Sequence, residues 1–116
     1  MLKGYTSFVA VLLLCVACSR NALEQASASY KTRHDHASLV IIFKALRKGL
    51  HKSHVDELLG GPDYSPTQGQ YYYSSDRRER VEGNPNSVSV GLVLDYRKND
   101  QGTDILEEFW LGPIGE

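Results

Sequence analysis

The stretch Ser87-Val88-Ser89-Val90-Gly91-Leu92-Val93-Leu94-Asp95-Tyr96-Arg97 alternates large apolar residues with small or polar ones. A period of two places Val88, Val90, Leu92 and Leu94 on one face, so this is a half-buried β-strand. Lys98-Asn99-Asp100-Gln101-Gly102 follows as a hairpin loop. Thr103–Leu111 then returns as a second strand. Upstream, Gln70-Tyr71-Tyr72-Tyr73-Ser74 has the aromatic content of a strand. Between these strands, Asp76–Asn86 is charged, ends in Gly83-Asn84-Pro85-Asn86, and is expected to be a long exposed connection. Asp63–Gly69 contains Pro66 and Gly69 and is expected to be a loop.

Before Pro62 the period changes to that of helices. Leu39, Ile42, Phe43, Leu46 and Leu50 recur at three- and four-residue steps, which predicts a helix over 36–48 with one apolar face. Val40 and Ile41 widen that face, so deep burial is expected. Asp35 occupies the N-cap position, Lys44, Arg47 and Lys48 suit the C-terminal dipole, and Gly49 is the expected stop. A shorter helix is predicted over 52–59, with Val55, Leu58 and Leu59 inward, capped by His51 or Ser53 and ended by Gly60-Gly61-Pro62. The expected fold is α+β: two N-terminal helices packed on one face of a three-stranded antiparallel sheet.

The chain has 116 residues and formal net charge −1, which suits one domain. Its start has the form of an address. Lys3 gives a positive n-region, and Phe8–Leu14 is apolar but shorter than the ~20 residues that span a bilayer. Residues 1–17 are therefore expected to be a signal peptide. Leu14-Cys15-Val16-Ala17-Cys18 resembles the bacterial lipobox, which implies an acyl (palmitate) anchor on Cys18; the Leu usual three residues before that cysteine is Cys15 here. A plain secretory signal cut near Ala17, or a retained transmembrane anchor, would be the alternatives. Cleavage before Cys18 removes 17 residues and one charge, leaving 99 residues with 12 basic and 14 acidic side chains. So balanced a surface excludes a phosphate-neutralising nucleic-acid binder. With Cys18 acylated no thiol is left to form a disulfide, so the fold must rest on its core. Residues 18–33 are small and polar, with few large apolar side chains, and are expected to be a flexible tether carrying at most a helical turn around Ala22–Ala28. The domain proper is expected over 34–116.

The run Lys48–Pro62, with Gly49-Leu50, Val55 and Leu59-Gly60-Gly61-Pro62, resembles the signature of the SmpA/OmlA (BamE-like) outer-membrane lipoproteins. Tyr71–Tyr73 and Val88–Tyr96 match that family's first and alternating strands. His51 stands where the family usually has Thr, and Phe109–Ile114 has no counterpart in it. The resemblance implies the two-helix, three-strand architecture and an accessory role in outer-membrane β-barrel assembly. The same architecture also serves as an inhibitor scaffold, so an inhibitor or immunity lipoprotein acting on a secreted hydrolase or toxin is the alternative, with Asp76–Asn86 as its protruding loop. Arg20 stands two residues after Cys18, where an Asp would retain a lipoprotein at the inner membrane of enteric bacteria. This favours an outer-membrane lipoprotein facing the periplasm.

No catalytic constellation stands out. His34-Asp35-His36 and the His51/His54 pair lack the further ligands that a tight zinc site needs. Gly60-Gly61 leads into Pro62 rather than into a helix N-terminus. Glu107 and Glu108 are expected on opposite strand faces, and Arg77-Arg78-Glu79-Arg80 as solvated loop. The expectation is a non-enzyme with no cofactor, metal or small-molecule substrate. The aromatic residues carry the binding hypothesis. In the last strand Ile105, Phe109 and Leu111 fall on one alternation, Leu106 and Trp110 on the other. Tyr72 likewise opposes Tyr71 and Tyr73. A face bearing Tyr72 and Trp110 is the expected protein-binding surface.

Overall fold

The computed structural model describes residues 20–114. Cys18 and the apolar segment before it, on which the lipid-anchor expectation falls, lie outside the described residues. Three helices and one antiparallel sheet follow in order: α1 (20–33), α2 (His36–Ala45), α3 (Lys52–Leu59), β1 (Tyr64–Thr67), β2 (Gln70–Glu79), β3 (Val88–Lys98) and β4 (Asp104–Pro113). The strands lie side by side in sequence order, β1-β2-β3-β4. The α+β class holds, with one more helix and one more strand than the sequence suggested.

The extra helix replaces the expected tether. Leu23, Ala26 and Tyr30 of α1 sit at three- and four-residue steps, and all three reach the hydrophobic core. Ala26 and Ser27 are small enough to let α1 close on α3. Ser27 Oγ donates to the Leu58 carbonyl at 2.8 Å, and Lys31 Nζ donates to the Glu57 carbonyl at 2.7 Å. Both carbonyls lie in the last turn of α3, where no intrahelical donor remains. The polar residues of this segment thus cap a neighbouring helix while its few apolar ones enter the core.

α1 ends at His34, whose φ of +53° closes the turn, and its N–H donates to the Tyr30 carbonyl. Asp35 then caps α2 as expected, accepting from Ser38 N at 3.1 Å, Ser38 Oγ at 2.6 Å and Ser29 Oγ at 2.7 Å. α2 stops at Ala45, four residues before Gly49. Leu46 leaves the helix in an extended conformation but stays buried. Ile41 is 41 % exposed, so the apolar face of α2 is narrower than expected. The released segment pairs with the sheet: Gly49 N donates to the Leu106 carbonyl, and Leu106 N to the Leu50 carbonyl, each at 2.8 Å. His51 is the N-cap residue of α3, although its side chain makes no capping bond.

On the sheet, Tyr73, Leu92, Leu94 and Leu106 meet Leu39, Ile42, Leu46, Val55 and Leu59 from the helices. Val88 and Val90 are also buried. The expected loop at 63–69 instead contains β1, joined to β2 by Gln68-Gly69 with Gly69 at φ +87°. β1 is short, exposed and carries Pro66, as suits an edge strand. The expected connection at 76–86 also shortens, because β2 continues to Glu79 through an irregular stretch. Four residue steps, from Ser74 to Arg78, span the same length as two steps of β3, from Gly91 to Ser89.

That irregular stretch holds the helical hairpin. The buried Tyr30 hydroxyl donates to the Ser74 carbonyl at 2.7 Å. Asp76 N donates to the His34 carbonyl, and Asp76 Oδ1 accepts the His36 N–H at 2.9 Å. Backbone groups freed from the ladder by the bulge are thereby satisfied from the α1–α2 corner.

Two outcomes follow from these contacts. Tyr30→Phe leaves the Ser74 carbonyl without its donor and should lower unfolding free energy by about 1–3 kcal/mol in urea titrations. An unchanged midpoint would remove α1 from the cooperative core. The hydroxyl of Ser38, followed by that of Ser29, holds the Asp35 carboxyl down to about pKa 2. A carboxylate lowered on folding stabilises above its unfolded pKa, and that stability is lost as the pH falls from about 4 toward about 2. Over that window Asp35→Asn should flatten the pH dependence of stability; parallel profiles would contradict the cap.

Candidate functional site

The pairing register assembles one row across the sheet. Tyr64 pairs with Tyr72, Tyr72 with Val93, and Val93 with Trp110. Directly paired residues share a face, so these four side chains lie together on the side away from the helices. Tyr64 and Tyr72 meet edge to face, with centroids 5.8 Å apart. Val93 is only 1 % exposed although it points away from the core, so its neighbours in the row cover it. Tyr64 remains 49 % and Trp110 45 % exposed. Tyr72 and Trp110, singled out from the sequence, thus share one surface; Tyr64 and Val93 complete it.

A bulge decides which side chains reach this surface. Asp95 pairs with Glu108 while Tyr96 pairs with Leu106, so Glu107 is an extra residue in β4. The extra residue reverses the alternation. Leu106, expected beside Trp110, is buried with Phe109 and Leu111 on the helix side, and Phe43 meets Phe109 edge to face at 5.8 Å. Trp110 is left outside without it. Glu107 and Glu108 do not fall on opposite faces as expected. Glu107 pairs with Arg97 at 3.4 Å, and Glu108 pairs in register with Asp95, both on the outer side. Asp95 in turn accepts from Gln70 Nε2 at 2.9 Å. An acidic row therefore borders the aromatic one.

The other border is flat, formed by Ser74, Gly91 and Gly112 in register. A Cβ on Gly91 would collide with the Tyr73 carbonyl and press on Ile114. The Trp110 ring lies against Gly112, where a Cβ would stand 3.3 Å from Cζ3. Trp110, Pro113 and Ile114 then form, with Val81, Asn84 and Val88, an open cleft of about 260 Å³. Arg77 and Arg78, expected in solvated loop, belong to β2: Arg77 pairs with Glu79 at 3.3 Å, and Arg78 donates to Ser87 and Ser89.

Under α3 lies a second polar cluster. Lys52 Nζ pairs with Asp56 at 2.9 Å and sits 4.9 Å from the Tyr71 ring centroid and 5.9 Å from that of Tyr96. Burial, aided by the neighbouring Asp56, pushes the Tyr73 and Tyr96 phenols up, as burial and Asp63 do for Tyr30. Burial thus favours the neutral form of all three phenols. Among the described residues no three His, Cys, Asp or Glu side chains converge to hold a metal. His34 packs edge to face on Tyr30 at 4.8 Å and approaches Asp63 at 3.9 Å, while His51 begins α3. No protein-family model, curated protein or solved structure matches this chain.

The reversed alternation has a direct check by thermal and urea unfolding. Leu106→Ala should cost about 2–5 kcal/mol, whereas Trp110→Ala should cost about 1 kcal/mol or less. Equal losses would return both residues to one face.

Proposed function

We propose that this protein is an outer-membrane lipoprotein, anchored through Cys18, whose BamE-like domain binds a protein partner in support of envelope or β-barrel assembly. The observation that carries the reading is the in-register row Tyr64–Tyr72–Val93–Trp110, whose two ends, Tyr64 and Trp110, are exposed. Large aromatic side chains held rigidly by a sheet lose little conformational freedom on binding, and such residues dominate interface energetics. The acidic border of Asp95, Glu107 and Glu108 would set register and orientation on a partner more than affinity.

The resemblance to SmpA/OmlA proteins supports the envelope role. That resemblance implies a short helix ended by Leu59-Gly60-Gly61-Pro62 and then three strands, an order with which α3, β2, β3 and β4 are consistent. In this reading no residue performs catalysis, and neither cofactor nor small-molecule substrate is needed.

The test is crosslinking capture of the tagged protein from detergent-solubilised membranes, with Tyr72→Ala and Trp110→Ala beside the parent. The parent should recover β-barrel assembly components. Either substitution should reduce recovery at least tenfold with an unchanged circular dichroism spectrum, the loss expected for an anchor worth about 2 kcal/mol. Undiminished recovery would move the binding surface elsewhere. Capture of a soluble hydrolase or toxin alone would replace the assembly role by inhibition.

A further inference from the structure

The helical hairpin α1–α2 has one end at the His34–Asp35 corner, held by β2, and the other at residue 20, the first described, beside the finish of α2. At this second end Arg20, Leu23, Ile41, Lys44 and Ala45 line a shallow apolar groove of about 480 Å³. Ile41 is exposed there although every other large apolar residue of α2 is at least partly buried. Arg20 and Lys44 are among the groove's lining residues, and Arg47 and Lys48 come just after Leu46, the C-cap of α2. All four cations are exposed and none is ion-paired among the described residues. The nearby acid on α1 is Glu24, also exposed. The surface is thus apolar at its centre and basic around it.

We infer that this end lies on the bilayer, with Ile41 entering the headgroup–acyl boundary and the cations meeting lipid phosphates. The inference rests on the lipid anchor at Cys18 proposed above. Only two residue steps separate Cys18 from Arg20, and two residues reach at most about 7 Å. The headgroup layer of one leaflet is itself about 5–8 Å thick. A cysteine acylated into that leaflet therefore leaves Arg20 no farther away than the edge of the headgroups. Because α1 is packed into the core, the domain cannot drift from its anchor as it would on a tether. Its orientation becomes fixed, and the groove is the surface presented to the lipid. One acyl anchor combined with an apolar, cationic contact is the pairing that makes membrane attachment stable. The aromatic row lies across the sheet from both helices, so lipid and protein partner use different surfaces.

Trp110 is the single tryptophan of the chain, which makes the test direct. The full-length acylated protein is reconstituted into phosphatidylethanolamine–phosphatidylglycerol vesicles with brominated acyl chains. Trp110→Phe/Ile41→Trp is compared with the parent, folding being verified by circular dichroism, and acylation of Cys18 by intact mass. The indole at position 41 should shift to the blue and lose most of its emission, while Trp110 of the parent is unaffected. On acylated protein, an unquenched indole at 41 or a quenched Trp110 overturns this orientation and leaves the lipoprotein reading intact. A native Cys18 without an acyl group overturns both.

Discussion

The whole arrangement hangs on how the α1–α2 corner is joined to the irregular stretch of β2. Two extra residues between Ser74 and Arg78 pull part of β2 away from the ladder and would leave polar backbone groups unpaired in a half-buried place. Tyr30 supplies the donor for Ser74, His34 the acceptor for Asp76, and the Asp76 carboxylate takes the first free N–H of α2. The bulge and the helix ends thus satisfy each other. Without α1 the core would lose Ala26 and Tyr30, and the last turn of α3 its donors from Ser27 and Lys31.

A second bulge, at Glu107, does for the outer face of the sheet what the first does for the helices. It moves Leu106 to the helix side and leaves Trp110 in line with Val93, Tyr72 and Tyr64. A sheet with helices on one face needs some account of its other face. Here that face is neither uniformly polar nor uniformly apolar: an aromatic row lies between an acidic border and a flat border of Ser74, Gly91 and Gly112. The cleft between Trp110 and Val81 adds a recess at one end. At the acidic border Asp95 is hydrogen-bonded to Gln70 and Glu107 is paired with Arg97.

Much of this was legible in the sequence, and the failures have identifiable causes. The period of two over Val88–Leu94, the N-cap at Asp35 and the termination at Gly60-Gly61-Pro62 are local signals, strong enough to fix β3, the start of α2 and the end of α3. α1 is concealed by its polar composition, although Leu23, Ala26 and Tyr30 carry helical spacing; Ser27 and Lys31 read as tether residues because their partners lie about 30 residues away. β1 was hidden by Pro66, yet Gln68-Gly69 before Gln70 has the form of a two-residue hairpin turn. Tyr72 and Trp110 could be assigned to an outward face from alternation alone. That Leu106 does not accompany Trp110 could not, except through one clue: apolar residues switch alternation across Glu107-Glu108, and a switch of that kind within one strand is what a bulge produces.

The central claim is that the aromatic row is the partner-binding surface. The most direct measurement places a photoreactive side chain at Trp110, and separately at Ile41, in the full-length protein within the envelope of the cell that makes it. Illumination should yield a discrete protein adduct from position 110, reduced when Tyr72 is also changed to Ala, and no such adduct from position 41. A protein adduct from position 41 with none from position 110 would contradict the account and move partner recognition to the helices.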